Sequence, residues 1–122
     1  MTGRQQLHQL LTDALPGWVI VSDARKLDTV RKPGAVVLWT ERLSRPAKLG
    51  LDYIEATLHL WVLTATDKPD VVEDDLDALL LDVLTAIEPW DAFGWVEAER
   101  GVLDDKFQGW RIPVTCLTKI TD

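Results

Sequence analysis

Three polar side chains that could take part in acid–base chemistry follow one another along a single stretch of the chain. Glu55, Thr57 and His59 are spaced two residues apart, so in an extended strand their side chains lie on one face. A half-exposed strand requires the same alternation without any chemistry. The second histidine, His8, belongs to a different predicted element, and no other group has a sequence reason to approach His59. We therefore expect no catalytic residue and predict that the protein is not an enzyme.

The acidic run from Glu73 to Asp77 suggests a cation site. It lacks the alternating ligands, the glycine and the terminal glutamate of a calcium-binding loop, and the helix dipole favours carboxylates at a helix start. The single cysteine, Cys116, falls among apolar residues of a predicted strand, which indicates a buried thiol. The glycines are isolated from one another and form no phosphate-binding loop. The sequence therefore predicts no metal site and no cofactor.

Six tryptophans are a large number for a chain of 122 residues. They cannot all be central in a core of this size, and an exposed tryptophan often marks a contact surface. Trp61, on the half-polar strand face, and Trp95, beside Glu97, are the predicted contact residues. The alternative, that all six pack at the edges of the core, stays open.

The element that must position these side chains is a predicted helix from Asp70 to Glu88. Asp70 is expected to cap it, with Glu73 as the partner in a capping box, and Pro89 to end it. The apolar residues recur at helical spacing and form one broad face that needs a sheet to cover: Val72, Leu76, Leu79, Leu80, Val83, Leu84 and Ile87.

The flanking segments supply that sheet. A first helix is predicted over residues 2–15, capped by Thr2, and a basic loop over residues 41–50. Pro113 predicts an edge or a bulge near the middle of the last strand. The third strand alternates most clearly, and its predicted helix-facing side consists of Ile54, Ala56, Leu58, Leu60 and Val62. The strands are predicted over residues 18–21, 35–40, 53–63, 95–102 and 107–120.

The resulting order of elements is α-β-β-β-α-β-β. It predicts a single α+β domain over residues 1–122, in which a mostly antiparallel sheet carries both helices on one face. The length is sufficient to bury a core without disulfides, and one cysteine allows no intrachain disulfide. No apolar run is long enough to span a bilayer, and the first residues do not resemble a signal peptide, so we expect a cytoplasmic protein.

Charge is distributed unevenly along the chain. The net charge of −7 argues against nonspecific nucleic-acid binding. Residues 1–61 contain 8 Lys and Arg against 6 Asp and Glu, whereas residues 62–122 contain 5 against 14. This asymmetry would let one face of a subunit meet a different face of the next. The alternative is that acidic turns solvate the C-terminal half.

Three features together resemble a known family. They are the element order, the helix Asp70–Glu88 with its acidic start, and the paired terminal segments WVEAERGVLDD (95–105) and FQGWRIPV (107–114). In these the chain is similar, over most of its length, to the tail terminator (tail completion) proteins of long-tailed bacteriophages and to related minor tail proteins. The resemblance rests on pattern and size.

The resemblance implies a mechanical function. Subunits of such proteins form a ring, usually a hexamer, on the head-proximal end of the tail tube, where the ring stops tube polymerisation and meets the filled head. The implied partners are further copies of the chain, the tail tube protein and a head-completion or connector protein. The implied location is the virion and, during assembly, the host cytoplasm, with no cofactor, membrane or specific nucleic-acid contact.

A ring needs two different contact patches on each subunit. We predict that basic residues after the second strand meet acids of a neighbour and that two tryptophans add contact area. The candidate residues are Arg42, Arg45, Lys48, Trp61, Asp74, Asp75, Trp95, Glu97 and Glu99. Two alternatives stay open: another connector, stopper or minor tail protein, and a small ligand-binding domain in which Tyr53, His59 and Trp61 line a pocket.

Overall fold

The computed structural model describes residues 2–27, 30, 33–45, 53–65, 68 and 70–119. Its two α-helices are α1 (Gly3–Ala14) and α2 (Val72–Ile87). A short 3₁₀ helix covers Ala24–Lys26. The six strands are β1 (Val19–Val21), β2 (Ala35–Ser44), β3 (Tyr53–Leu63), β4 (Phe93–Trp95), β5 (Glu99–Leu103) and β6 (Phe107–Lys119).

The strands form one mixed, mostly antiparallel sheet. Its order is β1-β2-β3-β6-β4, and β5 pairs with β6 on the same edge as β4. Among the described strands, β1 and β2 pair in parallel, and the other pairs are antiparallel. Leucines of α1 and apolar residues of α2 pack against the same side of β2, β3 and β6. The predicted α+β class, with both helices on one face, is confirmed.

The core under the helices follows from strand alternation. The predicted helix-facing residues Ala56, Leu58, Leu60 and Val62 are all buried. The matching positions of β6, including Cys116, are buried beside them, as predicted. Helical spacing brings Leu76, Leu79, Val83 and Ile87 of α2 and Leu7, Leu10 and Leu11 of α1 onto this surface.

The two helices begin differently. Thr2 caps α1, and its side chain and that of Gln5 form the reciprocal bonds of a capping box. The predicted cap of α2 is wrong, since α2 begins after Val71 with no side-chain cap. The carbonyl oxygen of Lys68 accepts from the amides of Val71 and Val72, each at 3.1 Å. That preceding turn satisfies the first amides, so the carboxylate of Asp70 is not needed there.

Two predicted strand boundaries are wrong, and both errors concern residues that the candidate site uses. β2 continues to Ser44, through half of the predicted basic loop, with a bulge between Thr40 and Arg42. The predicted strand 95–102 is instead two strands, β4 and β5, which follow one another along β6. Residues 96–98 connect them without strand pairing.

Pro113 explains where that edge is interrupted. The carbonyl of Gln108 accepts from the amide of Thr64 on the β3 side of β6. Backbone groups alternate sides along an antiparallel strand, so the nitrogen of Pro113 faces the β4–β5 edge. On that edge β4 pairs as far as Val114 and β5 begins opposite Arg111, so no described strand pairs with Pro113 on the side opposite β3. The predicted edge at Pro113 is confirmed.

The other face of the sheet carries a second, smaller cluster. Ala35, Val37, Trp61, Leu63 and Phe107 are buried there. Leu27, which follows the 3₁₀ helix, packs over them. The half-polar strand face, on which we predicted Trp61 as a contact residue, is therefore covered by the chain itself at its Trp61 end. At the other end Tyr53 is exposed.

Candidate interaction surfaces

The basic candidates lie at one end of the sheet. Arg42 is exposed on β2, opposite Thr57 of β3, and Arg45 is exposed directly after the strand. Lys48 lies outside the described residues. Because β2 extends further than predicted, Arg42 is held on a strand and not on a loop.

The acidic candidates lie in two separate places. Asp74 and Asp75 are in the first turn of α2, where Asp75 accepts a hydrogen bond from the hydroxyl of Thr64. Glu97 is exposed between β4 and β5, on the outer edge of the sheet. Glu99 on β5 is already paired with Arg111, at 2.6 Å. Two of the four acids thus have partners within the subunit.

The strand register separates one acidic pair from the basic residues. Arg42 is opposite Thr57, whereas Asp75 bonds Thr64, seven positions further along the chain. In an extended strand that interval is about 23 Å. Asp74 and Asp75 therefore lie at the far end of the sheet from Arg42.

The two predicted contact tryptophans differ in how far they are buried. The prediction that Trp61 is exposed is wrong, since only 8% of it is accessible. Its ring covers Gly101, where an added Cβ would be 3.0 Å from Cη2 of the indole. Trp95 is half-buried, and its Nε1 donates to Oε2 of Glu88 at 3.5 Å.

The most exposed tryptophan was not among the predicted contact residues. Trp90 is 54% accessible and follows Pro89 in the turn after α2. The sequence did contain a signal for this exposure. Trp90 lies outside any periodic segment, and a large aromatic residue in a turn has no strand or helix face to bury it. The amide of Phe93 donates to the carbonyl of Trp90 at 3.1 Å, which fixes the turn against β4.

A groove runs beside this tryptophan, between α1 and the turn. Its volume is about 370 Å³. Leu10 and Phe93 contribute apolar lining, Asp13 contributes a carboxylate, and Trp90 forms one wall. A second groove of about 360 Å³ on the other side of Trp90 is bordered by Glu88 and Asp91. We call the two grooves together the Trp90 groove, formed by Leu10, Asp13, Glu88, Trp90, Asp91 and Phe93.

His59 lies on β3 at the alternate positions it shares with Glu55 and Thr57, and its ring packs among aromatic side chains. Its ring lies 4.6 Å from that of Trp39, and its Nδ1 is 3.8 Å from Oε2 of Glu41, a residue of β2. Nε2 is buried without a partner among the described residues. Burial lowers the pKa of His59, Glu41 opposes that change and Arg111 adds to it. The histidine is held as a mostly buried aromatic side chain.

Other kinds of site have little support in the described part of the chain. No group of three or more His, Cys, Asp or Glu side chains there is placed to hold a metal ion. No helix of the described residues is long and apolar enough to cross a membrane. None of the grooves described above is lined by Tyr53, His59 and Trp61 together.

Comparison with known proteins adds no relative. No model of a known protein family matches the chain, and a search of curated proteins finds no significant match.

Proposed function

We propose that the protein is a structural subunit of a bacteriophage tail: a tail terminator that forms a ring, closes the tail tube and joins it to the head. In this proposal it acts without catalysis or a cofactor. Its partners are further copies of itself, the tail tube protein and a head-completion or connector protein. It resides at the head-proximal end of the tail in the virion, and in the host cytoplasm during assembly.

One observation carries the proposal: two opposite edges of the sheet carry exposed patches of different chemistry. On one side β1 pairs with Ala35–Val37 of β2, and beyond that pairing the β2 edge carries the exposed Arg42 and Arg45. The β4 edge presents Trp90 with acids beside it, among them Asp91. A cyclic ring requires such a pair of unlike patches, whereas a two-fold dimer uses the same patch twice. Surfaces of this kind favour an assembly over a monomer.

The architecture gives further support. A small α+β subunit with a helix followed by terminal strands is what the resemblance to tail terminators implies. The mixed sheet with both helices on one face fits that expectation. A fold by itself does not establish a function, so the arrangement of the two edges carries more weight.

The experiment that tests the proposal measures assembly and tube capping together. We expect the purified protein to form closed rings of uniform subunit number as its concentration rises, seen by mass measurement and electron microscopy. Added to polymerising tail tube protein, it should bind one tube end and shorten the length distribution. Tubes that grow to unchanged lengths, with a protein that stays monomeric alone and beside tubes, would contradict the proposal.

A further inference from the structure

Four residues, one from each of four strands, form a single row across the sheet. Leu43 of β2 is opposite Ala56 of β3, Ala56 is opposite Cys116 of β6, and Cys116 is opposite Phe93 of β4. Directly opposed residues of antiparallel strands place their side chains on the same face. Ala56, Cys116 and Phe93 belong to the core under the helices, so the side chain of Leu43 is on the helix side as well.

The two ends of this row are exposed in different ways. At the β2 end, Leu43 is 60% accessible, Arg45 is exposed two residues further on, and the exposed Arg42, opposite Thr57, lies on the other face of the strand. We call Arg42, Leu43 and Arg45 the basic edge. At the β4 end, Phe93 forms the floor of the Trp90 groove. The two ends are three strand spacings apart, about 14 Å.

We propose that the basic edge of one subunit docks into the Trp90 groove of the next copy of the same chain. This inference rests on the proposed ring and names its contact. Leu43 enters the groove against Trp90 and Phe93, Arg45 meets the carboxylates at its rim, and the long side chain of Arg42 reaches the rim around the edge from the other face.

Charge selects this occupant. The rim of the Trp90 groove carries Asp13, Glu88 and Asp91, and its wall is an exposed indole. An arginine is suited to both, since its guanidinium pairs with carboxylates and stacks on an aromatic face. The basic edge fits this groove because it combines two exposed arginines with an exposed leucine.

The shared row also suits a closed ring. A ring closes when each subunit is related to the next by rotation without a rise, so complementary patches must lie at one height along the axis. Patches at the two ends of one row meet this condition when the strands run along the axis. Asp74 and Asp75, at the far end of the sheet, do not meet it. The contact acids in this inference are therefore Asp13, Glu88 and Asp91.

A mixing experiment tests the contact. One variant, R42E with R45E, loses the basic edge, and a second, W90A with D91A, loses the groove. All four positions are exposed, so both variants should keep the wild-type circular dichroism spectrum. Each alone should be monomeric at concentrations where the wild type forms rings. Their equimolar mixture should give a heterodimer and nothing larger, because only one intact edge and one intact groove remain.

Matched controls use the same kinds of change elsewhere. R25E with K26E reverses two exposed cations of the 3₁₀ helix, and D74A with D77A removes two exposed acids at the start of α2, at the far end of the sheet. Both should assemble like the wild type. Assembly by the R42E/R45E or W90A/D91A variant, or its loss in the D74A/D77A variant, would overturn the inference and leave the ring itself intact.

A cross-link supplies a readout independent of charge. In a C116S background, S44C with A92C places exposed thiols beside the basic edge and the Trp90 groove without removing Leu43 or Trp90, and too far apart for an intrachain disulfide, which needs Cα atoms within about 7 Å. Oxidation should therefore give a ladder of multimers, whereas the control pair S44C with L81C should give none. An S44C/A92C protein that assembles like the wild type and never cross-links would overturn the contact. A wild type that is monomeric alone and beside tubes would overturn the ring proposal, and this inference with it.

Discussion

The two faces of the sheet differ in how they are buried. The helix side is covered by α1 and α2 and is apolar along β2, β3 and β6. Among the described residues, the opposite side is covered near Trp61, by Leu27 and by Phe107 of the β5–β6 hairpin. Of the three buried side-chain nitrogens without a partner among those residues, Nε2 of His59 and Nε1 of Trp61 lie on this side and Nε1 of Trp110 lies on the helix side. A buried polar atom without a partner costs about 1–3 kcal/mol.

The two faces should therefore contribute to the free energy of unfolding in different ways. The helix side gathers most of the apolar area, so it should dominate the free energy of unfolding. The second side is held by close fits: Gly101 leaves room for the indole of Trp61, and His59 lies between the rings of Trp39 and Trp61. Its contribution should therefore depend on shape and protonation more than on area. Variants of each face can test that division.

Truncation of the helix-side core should have the largest effect. Leu58 on β3 is fully buried beneath the helices, and L58A should lower the free energy of unfolding by about 3 kcal/mol, through lost burial and the cavity left behind. L81A is the matched control, because Leu81 is 63% accessible on the outer side of α2. Its cost should stay within about 0.5 kcal/mol. Urea unfolding measures both, and equal losses would contradict a core concentrated on the helix side.

Adding one methyl group should disturb the second face. Gly109 lies in β6 where an added Cβ would be 2.3 Å from the carbonyl oxygen of Val62 and 2.8 Å from Cδ2 of Leu63. Backbone must move to admit it, so G109A should cost about 2 kcal/mol.

The control for G109A is G94A on β4, where an added Cβ would be 3.3 Å from Oγ1 of Thr115 and the site is exposed. It should change the free energy of unfolding by less than about 0.5 kcal/mol. If G109A unfolds at the wild-type urea concentration, the second face is not the close fit described above.

A change in the turn of the β5–β6 hairpin should stabilise the protein. Asp104 and Asp105 both have positive φ, at 59° and 55°, as in a type I′ turn. D105G gives the Asp-Gly pair that such turns prefer and should raise the free energy of unfolding by about 1 kcal/mol. D105A keeps the unfavourable backbone while removing the carboxylate, so it should give no gain. A similar rise in thermal midpoint for both variants would assign the effect to charge instead.

The sequence was sufficient for the fold class because its strongest patterns belong to the helix side. The alternation of β3 and the helical spacing of α2 each describe an element with one buried face, and both elements formed where predicted. The boundaries of β2 and β4 were missed because pairing with a neighbouring strand, and not local composition, decides how far an edge continues. Glu41 and Arg42 read as loop, yet β3 lies beside them.

The candidate surface was less predictable for a related reason. Charge and residue type identified Arg42 and Arg45 but not their height in the sheet, which only the strand register supplies. Trp61 was expected at the surface because its strand face is half-polar. The burial of that face depends on Leu27, a residue remote in the chain whose packing no local pattern indicates.

The smallest expected effect concerns His59. Burial lowers its pKa below the ordinary value of 6.5, Glu41 opposes this and Arg111, itself paired with Glu99, adds to it. The unfolded chain therefore takes up the proton first as pH falls. Stability from this site is full above about pH 6.5 and declines as pH falls below it, until the folded form is protonated too.

The H59F variant should separate this contribution from all others. Phenylalanine keeps an aromatic ring beside Trp39 and Trp61 but cannot be protonated, so a difference between the two proteins reports on this site. Between about pH 7.5 and pH 5.5 the urea midpoint should fall more for the wild type than for H59F. Parallel midpoints would mean that Glu41 fully offsets burial, and the second face would then be sensitive to shape alone.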